Sequence, residues 1–260
     1  MHIELIGCTG AGKSILTKSI LRVNNILGLN IITSYDFILG LTRLNWIKNH
    51  TIRMLVLNQI ALVACLLTWR KNLEFYRFVI GVILRLPAAV TWFEKLKIAR
   101  IVARNVGIYE IVRRYGSNGQ VVLADEGTLQ IAHYLFVHVS VEPNPSDLET
   151  FIRLVSLPDV VVHIKQPESV LIARTMVRRH KRIPEGASTL VERFIEHGVA
   201  IFDKLVEYSI LERRLLIVEA GEGKIASPKC QDNSLLKLAL KFIRTGLEST
   251  IIEEPHPDYA

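Results

Sequence analysis

The sequence predicts a three-layer α/β fold: a parallel sheet covered by helices on both faces, with a long helical insertion between its second and third strands. Three observations point there. Short apolar runs alternate with helical stripes along much of the chain. The segment GCTGAGKS at 7–14 sits directly between such a run and such a stripe. From about Leu44 to Arg114 the spacing is helical, with Pro87 and Gly107 almost the only turn signals. At 260 residues, half of them hydrophobic, the chain can bury one sizeable core.

Each element follows from its local pattern. Ile3–Ile6 is an apolar run ending in glycine, as in a fully buried parallel strand. Ile15, Leu16, Ile20, Val23 and Leu27 form one stripe of a helix over Ser14–Leu27, with Gly28 as its C-cap. Asn30–Ser34 reads as strand two, with Asp36 just beyond. After the insertion, Ser117-Asn-Gly119 breaks the chain and Val121–Ala124 forms strand three, ending in Asp125-Glu126-Gly127. A helix runs on through His138, and a loop at VEPNPSD leads to a helix over 147–155 with Ser146 as its N-cap. Pro158-Asp159 introduces strand four, Val160–Ile164, and a basic helix spans about Pro167 to Lys181. After the loop IPEGAS come a helix at about 189–210, strand five at Leu215–Glu219 and a last helix near 234–247. The expected organisation is one domain over 1–250, with an acceptor or partner region at 44–115 and a lid at about 174–188. Residues 251–260 read as a flexible tail.

The net charge of +7 is unevenly placed. Residues 70–114 carry ten basic and three acidic side chains, whereas 115–260 carry sixteen and twenty. A basic middle segment fits a phosphorylated substrate, an anionic membrane surface or nucleic acid. The last is disfavoured, because the aromatic residues do not alternate with the basic stretch 95–114 and no reading motif is present. Cys8, Cys65 and Cys230 are odd in number and scattered, which argues for a reducing, cytoplasmic setting rather than a disulfide framework or zinc site. MHIELIG lacks a positive region before its apolar run and reads as a strand rather than a signal peptide. Met54 to Trp69 is sixteen residues without a charge, shorter than the roughly 20 needed to span a bilayer. A buried core helix is the expectation there, with peripheral membrane contact the alternative.

In GCTGAGKS the glycines let the backbone curl so that successive N–H groups face phosphate oxygens. The candidate phosphate-binding residues are Gly7, Thr9, Gly10, Ala11, Gly12, Lys13, Ser14 and Ile15. Lys13 can reach the β- and γ-phosphates, the Ser14 hydroxyl can ligate Mg²⁺, and the helix N-terminus adds partial positive charge. Cys8 is either a small side chain tolerated in the loop or a thiol with thiolate character at the helix end. An apolar strand ending in an acid is the second half of such a site, so Asp125 is the candidate magnesium carboxylate. Glu126 can polarise the attacking nucleophile or orient an arginine. Adjacent strand residues face opposite sides, so both carboxylates reach the site only if the chain bends there. Asp36 is either an acceptor-side base or metal aid, or a helix cap before Phe37.

In RTMVRRHKR, Arg174 and Arg178 lie four residues apart on one helical face, with Arg179 beside them. Such a helix running into a Pro/Gly loop suits a lid that closes cations over a transferred phosphoryl group. His133 and His138 follow the acidic strand end, and the expectation for both is a satisfied or surface histidine. Arg53, Arg70, Lys71, Arg77 and Arg85 can bind an anionic acceptor or anionic lipid headgroups.

Taken in order, the phosphate loop, the DEG strand end, PDVVVHIKQPESVLIARTMVRR and LLIVEAGEG resemble the thymidylate kinase and deoxynucleoside kinase group of P-loop kinases. The resemblance covers about 1–36 and 117–225. It implies a P-loop NTPase three-layer sandwich with a five-stranded parallel sheet, ATP with Mg²⁺ as cofactors, and phosphoryl transfer to a small-molecule acceptor. It also places Ala220-Gly221 near the adenine. That group carries an Asp-Arg pair or Glu-Arg-Ser after the third strand; here Asp125-Glu126-Gly127 stands, with no arginine at that place. The expected function is therefore MgATP-dependent phosphoryl transfer to a small-molecule acceptor whose identity the sequence leaves open, anionic and lipid-linked acceptors included, with a homodimer among the arrangements left open. The alternative is a nucleotide-dependent switch or ATPase acting on a protein or membrane partner. A GTPase form of it lacks its base-reading element: Asn144-Pro-Ser-Asp147 has no lysine.

Overall fold

The computed structural model describes residues 1–27, 30–116, 119–139, 144–178 and 188–219. Arg179, Ala220, most of the expected lid, the expected helix near 234–247 and the tail lie outside the described residues. Five strands form one parallel sheet in the order β2-β3-β1-β4-β5: β1 His2–Ile6, β2 Ile31–Thr33, β3 Val121–Ala124, β4 Val160–Lys165 and β5 Leu215–Glu219. β1 is central and buried along its whole length, with Ile3, Leu5 and Ile6 in the main core and His2 and Glu4 buried as well. On β3, Val121 and Leu123 join the main core, while Val122 joins a second core with Phe37, Ile38 and Leu57. The period-2 alternation of one strand thus feeds two helical layers, which makes the three-layer sandwich.

The helices are α1 Lys13–Leu27, α2 Ser34–Leu41, α3 His50–Thr68, α4 Leu73–Arg85, α5 Trp92–Tyr115, α6 Ile131–Phe136, α7 Pro145–Leu154, α8 Glu168–Arg178, α9 Ser188–Val206 and α10 Ser209–Glu212. The insertion between β2 and β3 therefore comprises α2 to α5. α2 is an addition to the expected elements: Thr33 caps it, accepting from the Asp36 backbone N–H at 3.0 Å. At α7 the N-cap is Asn144 rather than Ser146; Pro145 takes the first helical position, and Asn144 Oδ1 accepts from the Ser146 N–H at 3.0 Å.

Gly107 lies in the middle of α5 and does not end it. A Cβ built there would stand 1.9 Å from the Ala61 carbonyl oxygen of α3, so the two helix backbones meet where only glycine fits. The corner between α3 and α4 is tied to α5 by the buried Glu110, which accepts from Asn72 Nδ2 at 3.4 Å and pairs with Arg113 at 2.7 Å. We expect Gly107→Ala to lower stability by about 3 kcal/mol, because relieving the overlap must separate α3 from α5. Urea unfolding checks this; an unchanged midpoint would refute the close crossing.

Candidate functional site

β1 ends at Ile6 and the chain enters the glycine loop. Gly7, Gly10 and Gly12 adopt φ of 143°, 84° and 98°, which side chains with a Cβ rarely do. A Cβ on Gly7 would also meet the Ile164 carbonyl of β4 at 2.8 Å. Ala11 N–H donates to Cys8 O at 3.2 Å, and α1 starts at Lys13 with Leu16 N–H on Gly12 O at 3.0 Å. The Lys13 ammonium donates to Gly7 O at 2.7 Å and Cys8 O at 3.3 Å. Burial pulls its pKa down, opposed by the nearby charges of Asp125 and Glu126.

Ser14 and Asp125 come together as the sequence predicts: Ser14 Oγ donates to Asp125 Oδ2 at 2.8 Å. Asp125 Oδ1 is buried with no hydrogen-bond partner among the described residues. An orphaned carboxylate oxygen beside a hydroxyl, in a loop of inward N–H groups, fits a hard divalent cation. Burial raises the Asp125 pKa, offset by the Ser14 hydrogen bond and by Lys13. β3 ends at Ala124, so Asp125 and Glu126 occupy a bend, which lets their side chains take independent directions. Glu126 pairs with Arg104 of α5 at 2.9 Å and accepts from Tyr134 Oη at 3.2 Å. The arginine that the sequence lacks after strand three thus arrives in space from α5. Sequence reasoning missed Arg104, because nothing in a basic helix distinguishes the one cation that turns inward.

A second missed residue is Glu4, the charge within the buried strand β1. It is fully buried, accepting from the Gln130 N–H at 2.9 Å and from Thr128 Oγ1 at 3.3 Å. Burial pushes its carboxyl up to about 7, against the pull of these hydrogen bonds. Gly127 makes room for it, since a Cβ there would lie 2.3 Å from Glu4 Cδ. Asn105 Nδ2 donates to Gly127 O at 2.9 Å from the other side, so the acidic bend is held at both ends. A charged residue in an otherwise apolar strand was the available signal for Glu4.

Arg174 lies over the loop, donating through Nη1 to Gly10 O at 3.0 Å, while Arg178 is exposed one turn further along α8. Thr9 Oγ1 and His133 Nε2 are 3.2 Å apart, joining the loop to α6, and His133 stacks on Phe202. His138 is buried, with Nε2 3.1 Å from Leu135 O, so both histidines are satisfied as expected. Cys8 is a packing residue: its thiol is buried, a Cβ on Gly198 of α9 would stand 2.7 Å from Sγ, and burial pushes its pKa up to about 11. That corrects the thiolate alternative, because desolvation outweighs the pull of Lys13.

Asp36 sits in the first turn of α2, accepting from Thr33 Oγ1 at 2.7 Å and pairing with Arg53 of α3. It lines a cavity of about 260 Å³ with Tyr35, Lys48, His50 and Arg53. Tyr35 is half-buried at that cavity, and burial raises its phenol pKa, with smaller influences from Arg104, Glu126 and Asp125.

Loop, strand-end acid and covering arginine stand together at one end of a parallel α/β sheet, in a P-loop fold. No family model matches the chain, and no curated protein matches it. Among solved structures, deoxyadenosine kinase from M. mycoides with dCMP and a flexible dCDP is similar at 14% identity, covering 94% of this chain and 100% of that one, with a TM-score of 0.47. Thymidylate kinase from Ehrlichia chaffeensis is similar at 12% identity over 94% and 97%, with a TM-score of 0.46. Shikimate kinase from Acinetobacter baumannii with shikimate is similar at 13% identity over 96% and 94%, with a TM-score of 0.40. These likenesses are loose, and what the site can do rests on its own geometry.

Proposed function

We propose that the protein is a kinase that uses ATP with Mg²⁺ to phosphorylate a small anionic acceptor. The observation that carries this is the pairing of Ser14 Oγ with one oxygen of Asp125 while the other is buried and unpartnered. Mg²⁺ held by Ser14 and Asp125 would neutralise charge on the β- and γ-phosphates. Lys13 leaves the loop carbonyls to bind the same phosphates, and the N–H groups of Gly10 to Ser14 bind their oxygens. Arg174, already over Gly10, covers the phosphate side, with Arg178 and Arg179 as further lid cations.

The acceptor reading rests on the cations Lys48 and Arg53, with the His50 imidazole, around the cavity lined by Tyr35. An acceptor oxygen forms the new P–O bond as the bridging bond to ADP breaks, and its proton passes to Glu126, Asp36 or solvent. Such transition states are loose, so the main demand is positioning and charge neutralisation. Arg104 and Arg53, each held by a carboxylate, are placed to supply both. Ala220 is proposed at the adenine.

The test is ATP turnover with Mg²⁺, alone and against pooled nucleosides, nucleotides, sugars and polyprenols. We expect stimulation by one pool, reduced at least about 10³-fold in Lys13→Ala through the lost phosphate contact. Turnover that no pool changes, or that survives the substitution, would sink the reading.

A further inference from the structure

α3 is not the buried core helix that its composition suggests. Its buried residues are Leu57, Ala61 and Cys65, and its main packing partner is α5. The opposite stripe of Ile52, Leu55, Val63 and Leu66 is exposed, Leu66 to 71%, and Leu67 extends it at 80%. The helix is long and apolar enough to cross a membrane, yet only 17% of its apolar window is buried. From Ile52 to Leu67, at 1.5 Å per residue, this is a largely apolar face about 24 Å long, interrupted by the exposed Gln59 and beyond the scattered hydrophobics of an ordinary surface.

The charge pattern selects what covers it. Between residues 37 and 73 there is no acidic side chain, whereas Arg43, Lys48, Arg53, Arg70 and Lys71 all fall there. Arg53 is paired with Asp36 and Lys71 with the buried Glu110, while Arg43, Lys48 and Arg70 have no ion pair among the described residues. Trp69 and Arg70 stand exposed together at the C-terminal end of α3, an aromatic ring and a cation side by side. An apolar face with an aromatic and a cationic margin matches the boundary between acyl chains and anionic headgroups. A second copy of the chain fits worse. A two-fold contact presents the same patch twice, so antiparallel helices would bring Lys48 towards Arg70, and the segment 37–73 supplies no carboxylate to answer them. Spanning the bilayer fits worse still. α3 would have to leave the close crossing at Gly107 and uncover the buried Glu110 behind it.

We propose that the exposed face of α3 lies flat on an anionic phospholipid surface, its apolar side chains at the level of the upper acyl chains and Arg70 against headgroup phosphates. The attachment is peripheral, and it stands whether or not the kinase reading does.

Flotation of the full chain with vesicles tests it. Vesicles of equal parts phosphatidylcholine and phosphatidylglycerol should carry the protein, and pure phosphatidylcholine vesicles should hold it at least about tenfold more weakly. High salt should weaken the attachment. Leu55→Glu with Leu66→Glu should cut binding about tenfold or more while leaving the unfolding midpoint unchanged, since both side chains face outward. Arg70→Glu should cut it about fivefold or more. Absence of flotation, or equal flotation of the double variant, would overturn the proposal. So would resistance of the bound protein to alkaline carbonate, which would mean a span. A dimer in sedimentation that the double variant dissolves would assign the face to a second copy instead.

Discussion

Asp125→Asn is expected to lower phosphoryl transfer by about 10³-fold while leaving the folded state as stable as before, or more so. The two halves of this result have one cause. The carboxylate is buried with one oxygen unpartnered, and burial raises its pKa, so the charged form is held at a cost in the protein alone. Removing the charge removes that cost, and the amide oxygen can still accept from Ser14 Oγ. The function loses what the charge was for. An amide carbonyl is a weaker ligand to Mg²⁺, and roughly 4 kcal/mol of charge stabilisation corresponds to about 10³ in rate. Nucleotide binding gives a readout that does not depend on finding the acceptor: the magnesium dependence of nucleotide affinity should vanish in the variant. A variant that loses stability and keeps its magnesium dependence would make Asp125 a structural residue.

Much of this site was legible because its chemistry is local. GCTGAGKS supplies loop, lysine and hydroxyl within eight residues, and Val121–Ala124 ends in its acid with the same bounds in sequence and structure. Strand five was equally plain at Leu215–Glu219. What was not legible depends on which way a side chain faces. Arg104 is one of ten basic residues in 70–114, and only the packing of α5 beside the bend at 125–126 singles it out. Gly107 resembles a turn signal in sequence and is a contact between helix backbones in space. Apart from Arg53, Asn58, Gln59 and its end residues, α3 is apolar on every side, so no polar stripe gave it a direction and the sequence could not say which part would stay bare. α2 was announced by Thr33 and Asp36 three residues apart, a capping pattern overshadowed by the strand before it.

Glu4→Gln should change how stability depends on pH, and the sign can be worked out. In the fold the Glu4 carboxyl is pushed up to about 7 from 4.5 by burial. Between those values the folded protein holds a proton that the unfolded chain has released, so stability falls as pH rises through the window. Its loss is complete above about 7 and amounts to roughly 3 kcal/mol. Two buried imidazoles work the other way. His2 and His163 are each lowered to about 4 from 6.5, chiefly by burial, so the unfolded chain binds protons that the fold refuses as pH drops through that range. The wild-type profile therefore combines a rise from pH 4 to 6.5 with a fall from 4.5 to 7. Glutamine leaves only the rise. The stability difference, wild type minus variant, should decrease by about 3 kcal/mol between pH 4.5 and 8, measured by urea unfolding. A pH-independent difference would mean that Glu4 is charged in the fold throughout. The consequence reaches the site, because the same carboxyl accepts from the backbone of Gln130 just beyond the acidic bend. Near neutral pH its proton sets how firmly the chain after Asp125 and Glu126 is held. Asp125→Asn and Glu4→Gln thus separate two carboxylates, one in the bend after β3 and one buried within β1, the first kept for a cation and the second for the backbone that presents it.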